Sequence, residues 1–74
     1  MENVREAVAR NLRRIRHERG FSQEDLADRA GVDRSYISLL ERGSYSASVD
    51  MLARLGKALG VEAGAFLALQ RKRR

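Results

Sequence analysis

The chain has no cysteine, no proline, one histidine, and aromatic residues at only 5% of its 74 positions. Without cysteine, disulfide staples and thiolate metal centres are excluded. His17 alone cannot build a metal site. No apolar run approaches the roughly 18 residues of a membrane-spanning helix. The N-terminal stretch MENVREAVARNLRRIRHERG lacks the apolar core of a signal peptide. A soluble, cytoplasmic protein with no membrane partner is expected. A chain this short buries little of its surface. With disulfides and metals gone, compact helix packing and self-association remain as sources of stability.

Charge of one sign is in excess, at +5 with a pI near 10.7. Such a balance favours an anionic partner. The excess is uneven. Met1 to Arg19 carries six arginines against three glutamates, Gly20 to Gln70 carries five basic against seven acidic residues, and the last four residues are all basic. One domain over residues 1–70 with a basic tail at 71–74 is expected. A charged tail also serves solubility alone.

What is present is a succession of helices punctuated by glycine. The first spans about Val4 to Arg19, with Val4, Ala7, Val8, Leu12 and Ile15 as one buried stripe, and Gly20 ends it. Ser22 reads as the N-cap of a second helix, with Asp25 as a short-armed capping-box partner and Phe21 and Leu26 as a hydrophobic staple. That helix ends at Ala30 before Gly31. Asp33 caps a third helix, stapled by Val32 and Ile37 and ending at Arg42. After the loop GSYSAS, Ser48 caps a fourth helix to Leu59, with Val49, Leu52, Leu55 and Leu59 buried. A fifth starts near Glu62 and carries Phe66 and Leu67.

The segment SQEDLADRAGVDRSYISLLERG, Ser22 to Gly43, has the layout of a helix-turn-helix, whose second helix enters the DNA major groove. With Ile37 set toward the core and about 100° per residue, Ser35 falls at about 160°, Leu39 at about 200° and Ser38 at about 100°. Ser35, Ser38 and Leu39 on this face, with Arg34 in the first turn where the helix end meets the groove, form the candidate base-reading set. Arginine forks onto guanine, serine bonds base edges, and an apolar side chain can meet a thymine methyl. A solvated arginine and a stray surface leucine are the plain alternatives. Ser22, Gln23, Tyr36, Arg42, Ser44, Tyr45 and Ser46 are candidate phosphate contacts, because hydroxyls, backbone N–H groups and helix N-termini serve that purpose.

On SQEDLA, the AG turn, RSYISLLERG and the ALGV junction, the chain resembles the lambda-repressor-like (Cro/C1, XRE-type) helix-turn-helix family. The resemblance covers about Leu12 to Leu67. It is nearest in look to stand-alone regulators such as restriction–modification controller proteins. It implies an all-α, compact five-helix domain of a prokaryotic regulator that binds operator DNA as a homodimer. It also implies that Gln23 contacts phosphate and that Arg16 pairs with Glu41 inside the domain. Val61, Phe66 and Leu67 are the candidate dimer surface. The chain departs from many members in carrying Ser46-Ala47 where they have Asn-Pro, and in placing an aspartate at position 33.

The expected function is sequence-specific transcriptional regulation on a pseudo-palindromic double-stranded DNA operator. The alternative is a protein-interaction module of the same fold, such as an antitoxin that binds a partner protein as well as DNA. No acid pair, metal cluster or phosphate-binding loop stands out, so no enzyme activity, cofactor or small-molecule substrate is expected. Membrane binding by the basic first helix is disfavoured, because its small apolar stripe is needed for the core.

Overall fold

The computed structural model describes residues 2–69. The basic tail expected at 71–74 lies outside the described residues. The elements are α1 (Val4–Glu18), α2 (Gln23–Ala30), α3 (Arg34–Glu41), α4 (Val49–Leu59) and a 3-10 segment (Ala63–Leu67). No strand occurs among the described residues.

Each helix starts where a side chain can satisfy an otherwise unpaired N–H. Asn3 Oδ1 accepts from Glu6 N–H at 2.8 Å while Glu6 Oε1 accepts from Asn3 N–H at 3.1 Å, a full capping box. Ser22 and Asp25 make the same reciprocal pair at the start of α2, at 2.9 and 3.0 Å. Asp33 accepts from Ser35 N–H at 3.0 Å, and Ser48 Oγ from Met51 N–H at 3.0 Å. Gly31, at φ 72°, takes the left-handed conformation that ends α2 and turns the chain toward α3. A side chain there would be strained.

The core is one cluster that draws on every element: Val8, Leu12 and Ile15 of α1, Leu26, Ala27 and Ala30 of α2, Ile37 and Leu40 of α3, Leu52, Leu55 and Leu59 of α4, and Phe66. The helices α2 and α3 pack on one another, α1 packs on α3, and the 3-10 segment closes the gap between α1 and α4. Asn11 is buried within this junction, where its Nδ2 donates to the carbonyls of Phe66 and Ala68, each at 2.9 Å.

Three expectations are corrected. Val4 and Val49 are 56% and 78% exposed rather than buried. Each is the first residue of its helix, and a helical side chain leans back over the preceding turn, which neither has. The fifth helix is instead a five-residue 3-10 segment. Glu62 makes no capping bond with its side chain, Gly64 lies inside the segment, and so few residues cannot sustain an α-helix. Phe66 is fully buried. It closes the core of a single chain and offers no surface to a second copy.

Candidate functional site

The third helix is braced from behind. Ile37 and Leu40 are buried against the core, and Glu41 is only 3% exposed. The Glu41 carboxylate receives Arg16 from α1 in a two-pronged pair, Nε to Oε2 at 2.6 Å and Nη2 to Oε1 at 3.0 Å. The same guanidinium reaches the Phe21 carbonyl through Nη1 at 2.8 Å. Gln23, the first residue of α2, adds its Nε2 to Glu41 Oε1 at 3.1 Å. From the other side Arg13 Nη1 donates to the Glu41 carbonyl at 3.1 Å. One buried carboxylate therefore fixes the C-terminal end of α3 to both α1 and α2. An ion pair this deep is compensated only when its remaining polar atoms are also bonded. Among the described residues no buried side-chain polar atom lacks a partner.

The opposite side of α3 is open. Arg34 and Ser35 are exposed, while Ser38 and Leu39 are half-buried along the same helix. The Ser35 hydroxyl donates to Asp33 Oδ2, the oxygen that also accepts the Ser35 N–H. These two bonds, hydroxyl first, hold the Asp33 carboxyl below its ordinary range, and the Arg34 charge adds to the effect. Asp33 is thus an anion at neutral pH, with Arg34 beside it.

Around this face the loop after α3 supplies hydroxyls. Tyr36 is half-buried and its ring lies 6.0 Å from that of Tyr45, tilted by 59°. Ser44, Tyr45, Ser46 and Arg42 are exposed. Arg5 Nε donates to Ser46 Oγ at 3.1 Å, which ties the loop to the start of α1. Ser22 is exposed at the N-terminus of α2, where its Oγ serves as the cap. The described residues contain no cluster of three or more His, Asp or Glu placed to hold a metal. No helix among them is long and apolar enough to cross a membrane.

The Arg16–Glu41 pair implied by the resemblance is present. What the sequence reading missed is the bond from Gln23 to that pair, which shares the glutamine between the brace and the outer surface. It also missed Asn11. The signal for Asn11 was available, because it falls at the i, i+4 spacing of the stripe through Ala7, Leu12 and Ile15. Val61 is half-buried against the core, and Leu67 and Leu69 are 42% and 44% exposed.

Comparison with known proteins places this geometry in a wider set. Residues 12–66 match the model of the HTH_3 helix-turn-helix family. The HTH-type transcriptional regulator y4dJ of Sinorhizobium fredii is 41% identical over 59 residues, which span 80% of this chain and 77% of that one. A hypothetical transcription factor of Neisseria meningitidis is 37% identical over 62 residues, which are 84% of this chain but only 58% of that protein's length. The crystal structure of the Neisseria factor superposes with a TM-score of 0.86 at 36% identity, covering 89% of this chain and 76% of the other. The restriction–modification controller protein C.Esp1396I, solved as a tetramer in complex with its natural 35 base-pair operator, superposes with a TM-score of 0.80 at 35% identity, covering 89% and 87%.

Proposed function

The chain belongs to the helix-turn-helix family of Cro/C1 (XRE) type, a family of DNA-binding transcriptional regulators, and from that membership we propose that it is a sequence-specific regulator acting as a homodimer on a pseudo-palindromic operator. The observation that carries the reading is the two-sidedness of α3. Ile37, Leu40 and Glu41 are locked into the domain, while Ser35, Ser38 and Leu39 lie along the other side and Arg34 stands exposed as the first residue of the helix. A rigid helix with a short, chemically mixed outer face is what the major groove admits.

In this reading Arg34 forks onto guanine, Leu39 contacts a thymine methyl, and Ser35 and Ser38 bond base edges. Phosphates meet Ser22 and Gln23 at the N-terminus of α2, and Tyr36, Arg42, Ser44, Tyr45 and Ser46 around α3. Gln23 can serve a phosphate while Glu41 holds its amide, which has two donors. The C.Esp1396I complex with operator DNA supports both DNA binding and self-association for a protein of this shape. The dimer surface is centred on Leu67 and Leu69, with Val61 at its edge. Two copies of α3 then lie about 34 Å apart, one turn of DNA.

The test is a gel-shift series paired with sedimentation. A dimer that prefers one DNA sequence over random DNA is expected. A protein that stays monomeric at all useful concentrations and binds random DNA as well as any site overturns the proposal.

A further inference from the structure

Phe66 completes the core and is fully buried. The three residues after it gain little from that core, since Leu67, Ala68 and Leu69 are all exposed. A chain past its last core residue ordinarily frays, because no burial offsets the entropy of ordering it. Here side chains of α1 hold it. Ala68 has turned from the 3-10 segment into extended backbone, where its carbonyl has no helical partner ahead of it. Asn11 Nδ2 donates to the carbonyls of Phe66 and Ala68, each at 2.9 Å, and Arg10 Nη2 donates to the Ala68 carbonyl at 3.0 Å.

This clamp is fixed from both sides. Asn11 is 1% exposed, and its amide carries two donor hydrogens and one acceptor oxygen. The donors meet the two carbonyls, while Oδ1 accepts from Arg10 Nη1 at 3.1 Å and from Arg14 Nη2 at 3.4 Å. Backbone carbonyls only accept and guanidinium groups only donate, so the buried amide has one orientation that satisfies all four neighbours. Arg10 is seated in turn by Glu2, with Nε to Oε2 at 2.7 Å and Nη2 to Oε1 at 2.8 Å. A buried amide and a doubly bonded guanidinium are thus committed to a stretch whose two leucines stay 42% and 44% exposed. Ordering apolar side chains in water is unfavourable unless a partner covers them.

We infer that Asn11 and Arg10 are positioning residues for self-association: they hold residues 67–69 in the shape against which a second copy of this chain packs. The inference rests on the dimer surface proposed above. It goes further by assigning a role to two residues of α1 that act through the backbone of that surface. A surface set in advance lowers the ordering cost of association.

Sedimentation of the full chain measures the dimer dissociation constant, and circular dichroism at the same temperature checks that each variant is folded. Leu67→Ser combined with Leu69→Ser is the reference, and loss of the dimer is expected. Arg10→Met keeps the stem of the side chain but removes its donors. Asn11→Asp keeps the shape but sets acceptors against the two carbonyls. Each should weaken the dimer roughly 10- to 100-fold, as the freed backbone must be ordered again on association. Arg10→Lys, whose ammonium can still donate to the Ala68 carbonyl, should stay near the wild type. DNA supplies a readout that general damage to the fold would not give. Binding of the monomer to a duplex with a single half-site should be unchanged, while affinity for the full two-fold site falls.

A folded Arg10→Met or Asn11→Asp protein that dimerises as the wild type does overturns the inference. So does a variant that loses half-site and full-site binding alike. If Asn11→Asp does not fold, Arg10→Met compared with Arg10→Lys decides the matter. A protein carrying Leu67→Ser and Leu69→Ser that remains dimeric overturns the proposed dimer surface itself, and the inference with it.

Discussion

Replacing Arg16 with methionine removes the partner of Glu41 while filling most of the same volume. The carboxylate, 3% exposed in the intact protein, is then left with Gln23 Nε2 as its one remaining side-chain donor among the described residues. Breaking a buried pair in this way costs about 3–5 kcal/mol, because the surviving charge is neither hydrated nor compensated. A 74-residue domain has a total stability of about 4–11 kcal/mol at typical per-residue values. The single substitution therefore consumes a large part of the whole. Urea denaturation followed by circular dichroism measures the loss, and the melting temperature should fall by at least about 12 °C. Arg16→Met combined with Glu41→Leu removes both charges and should recover most of the stability. A single-variant cost below about 1 kcal/mol would refute the claim that this pair is the brace behind α3. A double variant no better than the single one would refute the claim that the uncompensated charge is the cause.

Three further outcomes are expected. Gly56→Ala brings a helix-favouring residue into α4, yet its Cβ would stand 2.5 Å from the Val61 carbonyl. The clash should outweigh the gain and cost about 1–3 kcal/mol in urea, whereas Gly64→Ala, with nothing within 4 Å, should change little. The Asp25 carboxyl is held below its ordinary range by the Ser22 backbone N–H, then the Ser22 side chain, with Arg29 assisting. Its folded value lies below its unfolded one, so its contribution is present above about pH 4 and is lost as pH falls through the folded value. Melting curves from pH 6 to pH 2 should show that loss, and Asp25→Asn should make it smaller. Arg34→Ala should relax specificity at one operator position by about 1–3 kcal/mol without changing the salt slope. An equal loss on every sequence with a shallower slope would make Arg34 a phosphate contact.

Most helix boundaries were legible because they are set locally. Ser22 with Asp25, Asp33, Ser48, Gly31 and Gly60 each satisfy or terminate backbone groups within a few residues, so the chemistry is written in adjacent letters. The capping box of Asn3 and Glu6 is equally local, although the apolar stripe of the helix does not by itself reveal it. The misplaced residues are those whose fate depends on distant partners. Val4 and Val49 fit the periodicity of their helices, but nothing in that periodicity says where the neighbouring element stops. Phe66 reads as part of a dimer surface because it is one of the apolar residues of the last element, and nothing in the sequence shows the gap between α1 and α4 that takes it in. Arg16 and Glu41 lie 25 positions apart, and their pairing came from family resemblance rather than from spacing.

The central claim is that the open side of α3 selects a DNA sequence, and enrichment of bound sites from a random double-stranded pool tests it most directly. The account predicts one enriched motif, an inverted repeat whose half-sites are centred about 10–10.5 base pairs apart or a multiple of that. Affinity for it should fall about 10³- to 10⁵-fold between 50 and 200 mM salt if the dimer makes roughly 6–10 phosphate contacts. A pool that remains random after repeated selection, or a motif with no two-fold symmetry, would contradict it.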